Sequence, residues 1–480
     1  MQKTFLSNLI LIILLNLLVK PFYILGIDAE VQNRVGAEIY GNYFALLNFS
    51  FLLNILLDFG ITNFNNRNIA QNPQLIQKHF GQLLGIRLIL FLIYAFATLG
   101  IGFIVGYSSQ QFYLLTILVF NQFLVATIQY ARSNFAGLHI FKIDAFISVL
   151  DRVLLIIICG VLLWTPITTT TFKIEWFIYA QTLTYLSSAI ISILILKFKI
   201  NHIKIQINKA FSFAIIKQSF PYALLILLMM FYNRIDSVML ERLLPNGSVQ
   251  AGIYAQGFRF LDAVNMFALL FAGLLLPIFA RLIKQKSSIV PLLELGVSTL
   301  IPISLIIGIT AFFYKDYLIN LRYDDYITEA SKSFGFLILS FIPVSTTYIF
   351  GTLLTANGSL KQLNYMAIGG LILNVVLNLI LIPKYLAEGA AVATLITQLI
   401  TAKIQVLLVL KIFKLKINWI LYFKLFTLTV LIIVINWGLL NTTLLVKYKF
   451  LLSLIISSTL PFILGVIKIN SIIKLLKSNN

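Results

Sequence analysis

Cysteine is almost absent from this chain: its 480 residues contain one, Cys159, set in an apolar run. A lone thiol excludes any internal disulfide and any metal–thiolate cluster. Histidine is nearly as scarce. His79, His139 and His202 are the three, each isolated in a connecting segment, so neither a metal site nor a histidine base is indicated. Charge is thin, at 11% of residues against 60% hydrophobic, which is far too apolar for a soluble domain. Long polar connections are missing too. The longest, at 62–80, 197–213 and 315–332, leave no room for a soluble domain, so whatever the protein does happens between helices.

What is present is apolar sequence in membrane-length pieces. Stretches of about 20 apolar residues fall at 4–25, 39–61, 81–106, 112–131, 145–165, 176–196, 214–239, 251–280, 291–314, 333–356, 362–382, 387–410, 418–440 and 449–467. The first, Thr4 to Leu25, is too long for a signal-peptide core and reads as a permanent span. The pattern predicts an all-α polytopic membrane protein of about fourteen spans. Nearly all the excess basic charge lies on one set of alternate connections, most densely at Lys197, Lys199, Lys204, Lys209 and Lys217. The other set, with Asp28, Glu30, Arg34 and Glu38 in its first member, is close to neutral. By the positive-inside rule both termini are cytoplasmic. The net charge of +20 is thus topology signal, and no nucleic-acid partner is needed to explain it.

The chain also resembles itself. "AEIYGNYF" (Ala37 to Phe44) aligns with "AGIYAQGF" (Ala251 to Phe258) at an offset that also carries Arg67 onto Arg281. A second echo pairs "FAGLHIFK" (Phe135 to Lys142) with "TANGSLK" (Thr355 to Lys361), each with a glycine able to stop a helix before a lysine. Both echoes keep span order, so the repeat is parallel. The expected plan is a first six-span lobe over 1–203, a second over 204–411, and two further spans over 412–480. "KINHIKIQIN", Lys199 to Asn208, suits a surface linker or a short amphipathic helix on anionic lipid.

Ionisable groups inside spans are costly unless they face a cavity or a partner. At about 1.5 Å per residue, Lys20 lies roughly 24 Å into span 1, Arg234 roughly 25 Å into span 7, and Arg259 roughly 12 Å into span 8. Each is a candidate cavity cation, although long basic chains also snorkel to headgroups. Pro21 is expected to kink or end the first helix. Asp262 shares a helical face with Arg259, whereas Asp236 sits about 200° around the helix from Arg234 and needs a separate contact. Asp58 is expected to pair with Arg87 or to bind backbone donors at the bend before Gly60. Arg152, beside Asp151, and Arg87 read as interhelical pairs or snorkelling chains. Lys403 and Lys424 read as snorkelling. Asn374 and Asn378 read as helix–helix glue, and Tyr40 and Tyr254 suit an interfacial aromatic belt or sugar stacking.

"NRIDSVMLERLLPNGSVQAGIYAQGFRFLDA" (Asn233 to Ala263) and "LLPIFARL" (Leu275 to Leu282) resemble spans 7 and 8 of the Wzx polysaccharide flippases. Those proteins belong to the multidrug/oligosaccharidyl-lipid/polysaccharide exporter superfamily. "ANGSLKQLNYMAIGGLILNVVLNLILIPKYLAEGAAVATLITQ" (Ala356 to Gln398) is similar to that family's spans 10 to 12, and "ILLDFGITNFNNRNIA" (Ile55 to Ala70) to its second. The resemblance implies a fold of two six-helix, MATE-like lobes. It also implies export of an undecaprenyl-pyrophosphate-linked oligosaccharide across the bacterial cytoplasmic membrane, by alternating access around a cationic cavity. The substrate would go to a polysaccharide polymerase machinery. Lys20, Arg234 and Arg259 are the phosphate candidates, since fixed cations suit a pyrophosphate. No cofactor is implied beyond an H+ or Na+ gradient, for which Asp236 and Asp262 are the acids considered. A lipid II flippase, a cation-coupled drug antiporter of the same superfamily and a membrane polymerase are the alternatives. The antiporter would want a buried first-lobe carboxylate, and the span read as 4–25 contains none.

Overall fold

The computed structural model describes residues 14–62, 65, 66, 69, 72–138, 140–165, 171–198, 209–416 and 418–467. Arg67, His139, His202 and the Lys199–Asn208 connector lie outside them. Among the described residues every regular element is helical. The helix present from residue 14 does not end at Pro21. It runs through the proline, widens into a π-turn at Tyr23–Asp28 and continues as α1 (Ala29–Leu52). Proline removes one N–H from the ladder, and a locally widened turn is one of the few ways a helix absorbs such a defect. The break between the first two predicted spans falls instead at Gly36 (φ 82°, ψ 164°), a backbone region that essentially only glycine enters. The expected outer loop is therefore corrected: Asp28 is inside the first helical run and 0% exposed.

The second predicted span is also interrupted. Beyond Leu52 the chain tightens into a 3₁₀ turn at Asn54–Leu57 and then turns through Phe59 (φ 43°) and Gly60 (φ 81°). The Asp58 carboxylate accepts from the Thr62 N–H at 3.1 Å and from its hydroxyl. That satisfies backbone freed by the bend, as expected from the sequence.

The succeeding helices are α2 (Ile76–Val105), α3 (Ser109–Gly137), α4 (Phe141–Trp164), α5 (Ile174–Lys197), α6 (Lys209–Leu243) and α7 (Gly247–Lys284). They are followed by α8 (Val290–Phe313), the short α9 (Lys315–Asn320), α10 (Ile327–Leu339), α11 (Phe341–Ala356), α12 (Leu360–Ile412), α13 (Trp419–Leu440) and α14 (Val446–Ile463). Among the described residues eleven helices are long and apolar enough to cross a membrane. The sequence-based count of fourteen is reached if α12 is read as two crossings and the run before Leu52 as two more. At 53 residues α12 would be about 80 Å long, against a hydrocarbon layer of about 30 Å. It reverses at Leu386 (φ 54°), and Gly389 allows the returning backbone to pack on the Leu381 carbonyl.

Two compact units emerge, Met1–Gly252 and Ile253–Asn480. The repeat-based division near residue 204 and the packing-based division differ by one helix, because α6 packs along α1. In the first unit, α5 packs on α3 and α4, and Phe80, Leu83, Tyr130 and Phe135 centre an apolar core. In the second, α12 packs against α10 and α11, while α13 and α14 dock on α8 through Leu305, Ile309, Leu428 and Ile432. The Tyr314 and Ser453 hydroxyls, 3.0 Å apart, pin α14 to the end of α8.

The structure adds detail to the internal echoes. Gly41 and Gly252, one from each echoing octet, meet in the first unit. A Cβ on Gly41 would collide with the Ser248 carbonyl, and one on Gly252 with the Ala37 carbonyl. A further echo emerges on the last helix of each predicted lobe. Gln181, Thr184, Ser188 and Ser192 on α5, and Thr394, Thr397, Thr401 and Gln405 on α12, have the same spacing and are all at most 4% exposed. The glycines of the second sequence echo act differently from one another. Gly358 takes the left-handed conformation after α11 (φ 74°), whereas Gly137 gives the close approach of Ile69.

Candidate functional site

Lys20 projects from the first helix and is half-buried. Its electrostatic neighbours are Arg152 and Arg132, both like-charged, and Asp151. Among the described residues its ammonium makes no hydrogen bond or ion pair. Its neighbours are committed elsewhere. Arg132 Nε donates to Asp144 at 2.7 Å. The Arg152 guanidinium lies over the rings of Tyr23 (4.7 Å) and Tyr185 (5.4 Å), and its Nη1 donates to the Tyr185 hydroxyl at 2.8 Å. Asp151 is 3.6 Å from the Arg152 Nε. Two carboxylates thus face three cations from the first helix, α3 and α4, leaving one net positive charge at Lys20.

Helix geometry brings this cluster together. Asn16 lies one turn before Lys20 and donates to the Ser148 hydroxyl at 3.0 Å, tying the first helix to α4. Ser148 is in turn one helical turn before Arg152. Beyond the arginine, Tyr23 and Tyr185 each lie within electrostatic reach of both Arg152 and the buried Asp28. Asp28 also influences Cys159 on α4. A cationic group and a carboxylate removed from solvent therefore share two tyrosines.

The other predicted residues divide by unit. In the first, Arg234 on α6 is half-buried, donates to the Asn48 side chain at 3.2 Å and lies over Phe51. Asp236, on another face of α6, is 1% exposed. Arg87 is 4% exposed and donates to Asp58 at 2.6 Å and to Thr62 at 3.1 Å. Snorkelling is excluded for Arg87, and the expected interhelical pair is present. In the second unit, Arg259 is buried and 3.6 Å from Asp262, the pairing expected from their spacing. Asn378 donates to Asn374 at 3.1 Å with both side chains buried.

Two expectations change. Tyr40 and Tyr254 are 0% and 1% exposed, so neither belongs to an interfacial belt. They stack on Phe44 and Phe258 within their own helices, because an i,i+4 aromatic pair turned inward buries both rings. The first helix also carries the buried acid that its sequence boundary had placed outside. Sequence reasoning did not place Arg132, Tyr23 or Tyr185 at the site, since no spacing along one helix links them.

The chain thus combines long apolar helices, two helical runs with interruptions and a cationic cluster among the first helices. The match to a family model described as polysaccharide biosynthesis protein spans residues 5–283, and the chain belongs to that family. It is 27% identical over 204 residues to an uncharacterized membrane protein of Methanocaldococcus jannaschii, a match covering 42% of this chain and 48% of that protein; the chain thus spans about half the length of the curated relative. Its fold is similar to that of the lipid II flippase MurJ in an inward closed conformation. There the TM-score is 0.68 at 15% identity, with 96% of this chain and 98% of that one covered. It is also similar to an inward-facing multidrug resistance MATE family transporter of the MOP superfamily. That comparison gives a TM-score of 0.55 at 15% identity over 81% and 93% of the two chains.

Proposed function

We propose that the protein is a flippase for undecaprenyl-pyrophosphate-linked oligosaccharide repeat units. In this reading it resides in the bacterial cytoplasmic membrane with both termini inside and supplies a surface-polysaccharide polymerase. The observation that carries the proposal is Lys20, a cation at membrane depth that makes no hydrogen bond or ion pair among the described residues and has Arg152 and Arg132 as like-charged neighbours. Such a charge is expensive unless an anion joins it. A pyrophosphate offers two phosphoryl groups, enough to engage the Lys20 ammonium and the Arg152 guanidinium together. The planar faces of Tyr23 and Tyr185 fix that guanidinium, so little ordering entropy is spent on binding.

Arg234 and Arg259 are the further cations of this reading. Arg234→Ala and Arg259→Ala are each expected to abolish surface polysaccharide while the protein still inserts. Wild-type polymer levels in both would refute a role for these cations in transport. The lipid II flippase remains the second reading, favoured by the fold likeness. It shares the pyrophosphate chemistry, and proteoliposomes loaded with either lipid-linked sugar distinguish the two.

Asp28 supports coupling to a proton or sodium gradient. A buried carboxylate near the cationic cluster favours proton or cation uptake more strongly once an anion has neutralised that cluster. Asp28→Asn is expected to remove the dependence of flipping on an imposed ion gradient. Gradient-driven rates equal to those of the unsubstituted protein would exclude Asp28 as the coupling acid.

A further inference from the structure

A second polar assembly lies apart from the cationic cluster, where the α2–α3 turn meets α1 and the end of α6. Its centre is Gln111, in the first turn of α3. The Gln111 Nε2 donates to Asn42 Oδ1 of α1 and to Glu241 Oε1 of α6, both at 2.9 Å. Its Oε1 accepts from the Ser108 N–H at 3.0 Å and from the Arg242 Nη2 at 3.3 Å. One side-chain amide has two donor hydrogens and two acceptor lone pairs, and here all four are used. The Gln111 backbone N–H donates to the Ser108 hydroxyl, completing a capping box that fixes the amide's origin. Arg242 closes the assembly: its Nε lies 2.7 Å from Glu241 Oε2, and its guanidinium is 3.9 Å above the Tyr107 ring.

Beside this node α1 and the start of α7 touch backbone to backbone. Gly41 against Ser248 and Gly252 against Ala37 leave no space for a methyl group. Small residues allow such an approach but supply no directional bond to hold it. The Gln111 network supplies that bond. It engages α6, the first helix of the second predicted lobe, and joins it to α1 and α3 of the first. Its strength comes from convergence on one residue, and its weakness has the same origin. The three bonds that reach other helices, to Asn42, Glu241 and Arg242, are lost together when α3 moves, which favours two states over a continuum.

We propose that Gln111, Glu241 and Arg242 form a releasable latch that closes the outward side of the protein, with the Gly41–Gly252 contact as the seal beneath it. The proposal rests on the alternating-access reading above and adds to it a named closing device. Gln111→Glu is the sharpest single change. It replaces the one nitrogen that donates to both Asn42 Oδ1 and Glu241 Oε1 with a carboxylate oxygen, which removes both donors and sets like charges against each other at Glu241.

The test uses the full-length protein with Cys159→Ser as background. With Asn48→Cys as reporter on α1, Gln111→Glu is expected to raise labelling by an externally added, membrane-impermeant maleimide about tenfold. An unchanged labelling rate overturns the latch. A second arm introduces Gln111→Cys with Glu241→Cys and joins the pair with a short, reducible bis-methanethiosulfonate. Flipping is expected to stop on cross-linking and to return on reduction. Full flipping while cross-linked shows a permanent structural contact and overturns the proposal. The labelling arm needs no substrate, so a wrong substrate assignment leaves its outcome intact.

Discussion

Lys20→Ala is expected to lower flipping of a polyprenyl-pyrophosphate oligosaccharide in proteoliposomes at least tenfold, and to leave the melting temperature in detergent unchanged or slightly raised. The two halves of that expectation have one cause. Among the described residues Lys20 makes no hydrogen bond or ion pair that its removal could break, and its electrostatic neighbours include Arg152 and Arg132, which repel it. Its presence therefore costs folding energy, which in the proposed reading a bound anion would offset. A tenfold loss corresponds to about 1.4 kcal/mol, a modest value for one charge-assisted contact to phosphate. Lys20→Arg, which keeps the charge, is expected to retain a substantial share of activity. Undiminished flipping by Lys20→Ala would remove the cationic cluster from the transport pathway.

Arg87→Ala is expected to behave in the opposite way, destabilising the protein and impairing transport only as a consequence. Arg87 is 4% exposed and supports the interruption in the second span through Asp58 and Thr62, with a further contact to the Tyr130 ring. Breaking a buried pair by removing one partner costs about 3–5 kcal/mol. Asp58 keeps 23% of its side-chain surface, so water can take over part of its solvation. The expected loss is thus at the lower end, about 3 kcal/mol. Removing both charges with Arg87→Met and Asp58→Asn is expected to recover much of it. A thermal denaturation series on the two single variants and the double variant measures this. Equal losses in the single and double variants would show that the charges do not act as a pair.

The contrast explains which parts of the site were legible in the sequence. Asp58 with Arg87 was readable as a pair because two opposite charges in neighbouring apolar spans have few other ways to be satisfied. Arg259 with Asp262 was readable because residues three apart share a helical face. Lys20 was readable as a cation at depth, but its surroundings were not. Arg132 and Arg152 come from other helices, and only packing through Asn16 and Ser148 aligns the first helix with α4. Asp28 was misplaced for a related reason. Hydropathy ends a span where charge begins, whereas the chain continued in helical form until Gly36 supplied the conformation for a break. Tyr40 and Tyr254 were misread because the chemistry of a tyrosine at a helix end is the same whether it faces headgroups or a neighbouring helix.

The sequence by itself determined the apolar solvent in which this protein folds, its all-helical class and its family, and it located the long apolar helices. These follow from a local rule: in lipid every backbone polar group must be satisfied within its own segment, so about 20 apolar residues make a helix whatever surrounds them. Tertiary structure decided where α1 breaks, that Asp28 is buried, that Lys20, Arg132 and Arg152 gather from three helices, and that one glutamine joins α1, α3 and α6. Those outcomes depend on which faces of separate helices meet, and helices bathed in lipid hide almost no hydrophobic difference between one face and another. The choice falls to small residues, polar contacts and steric fit between partners far apart in the chain. That information is in the sequence, but it is expressed only when the helices pack.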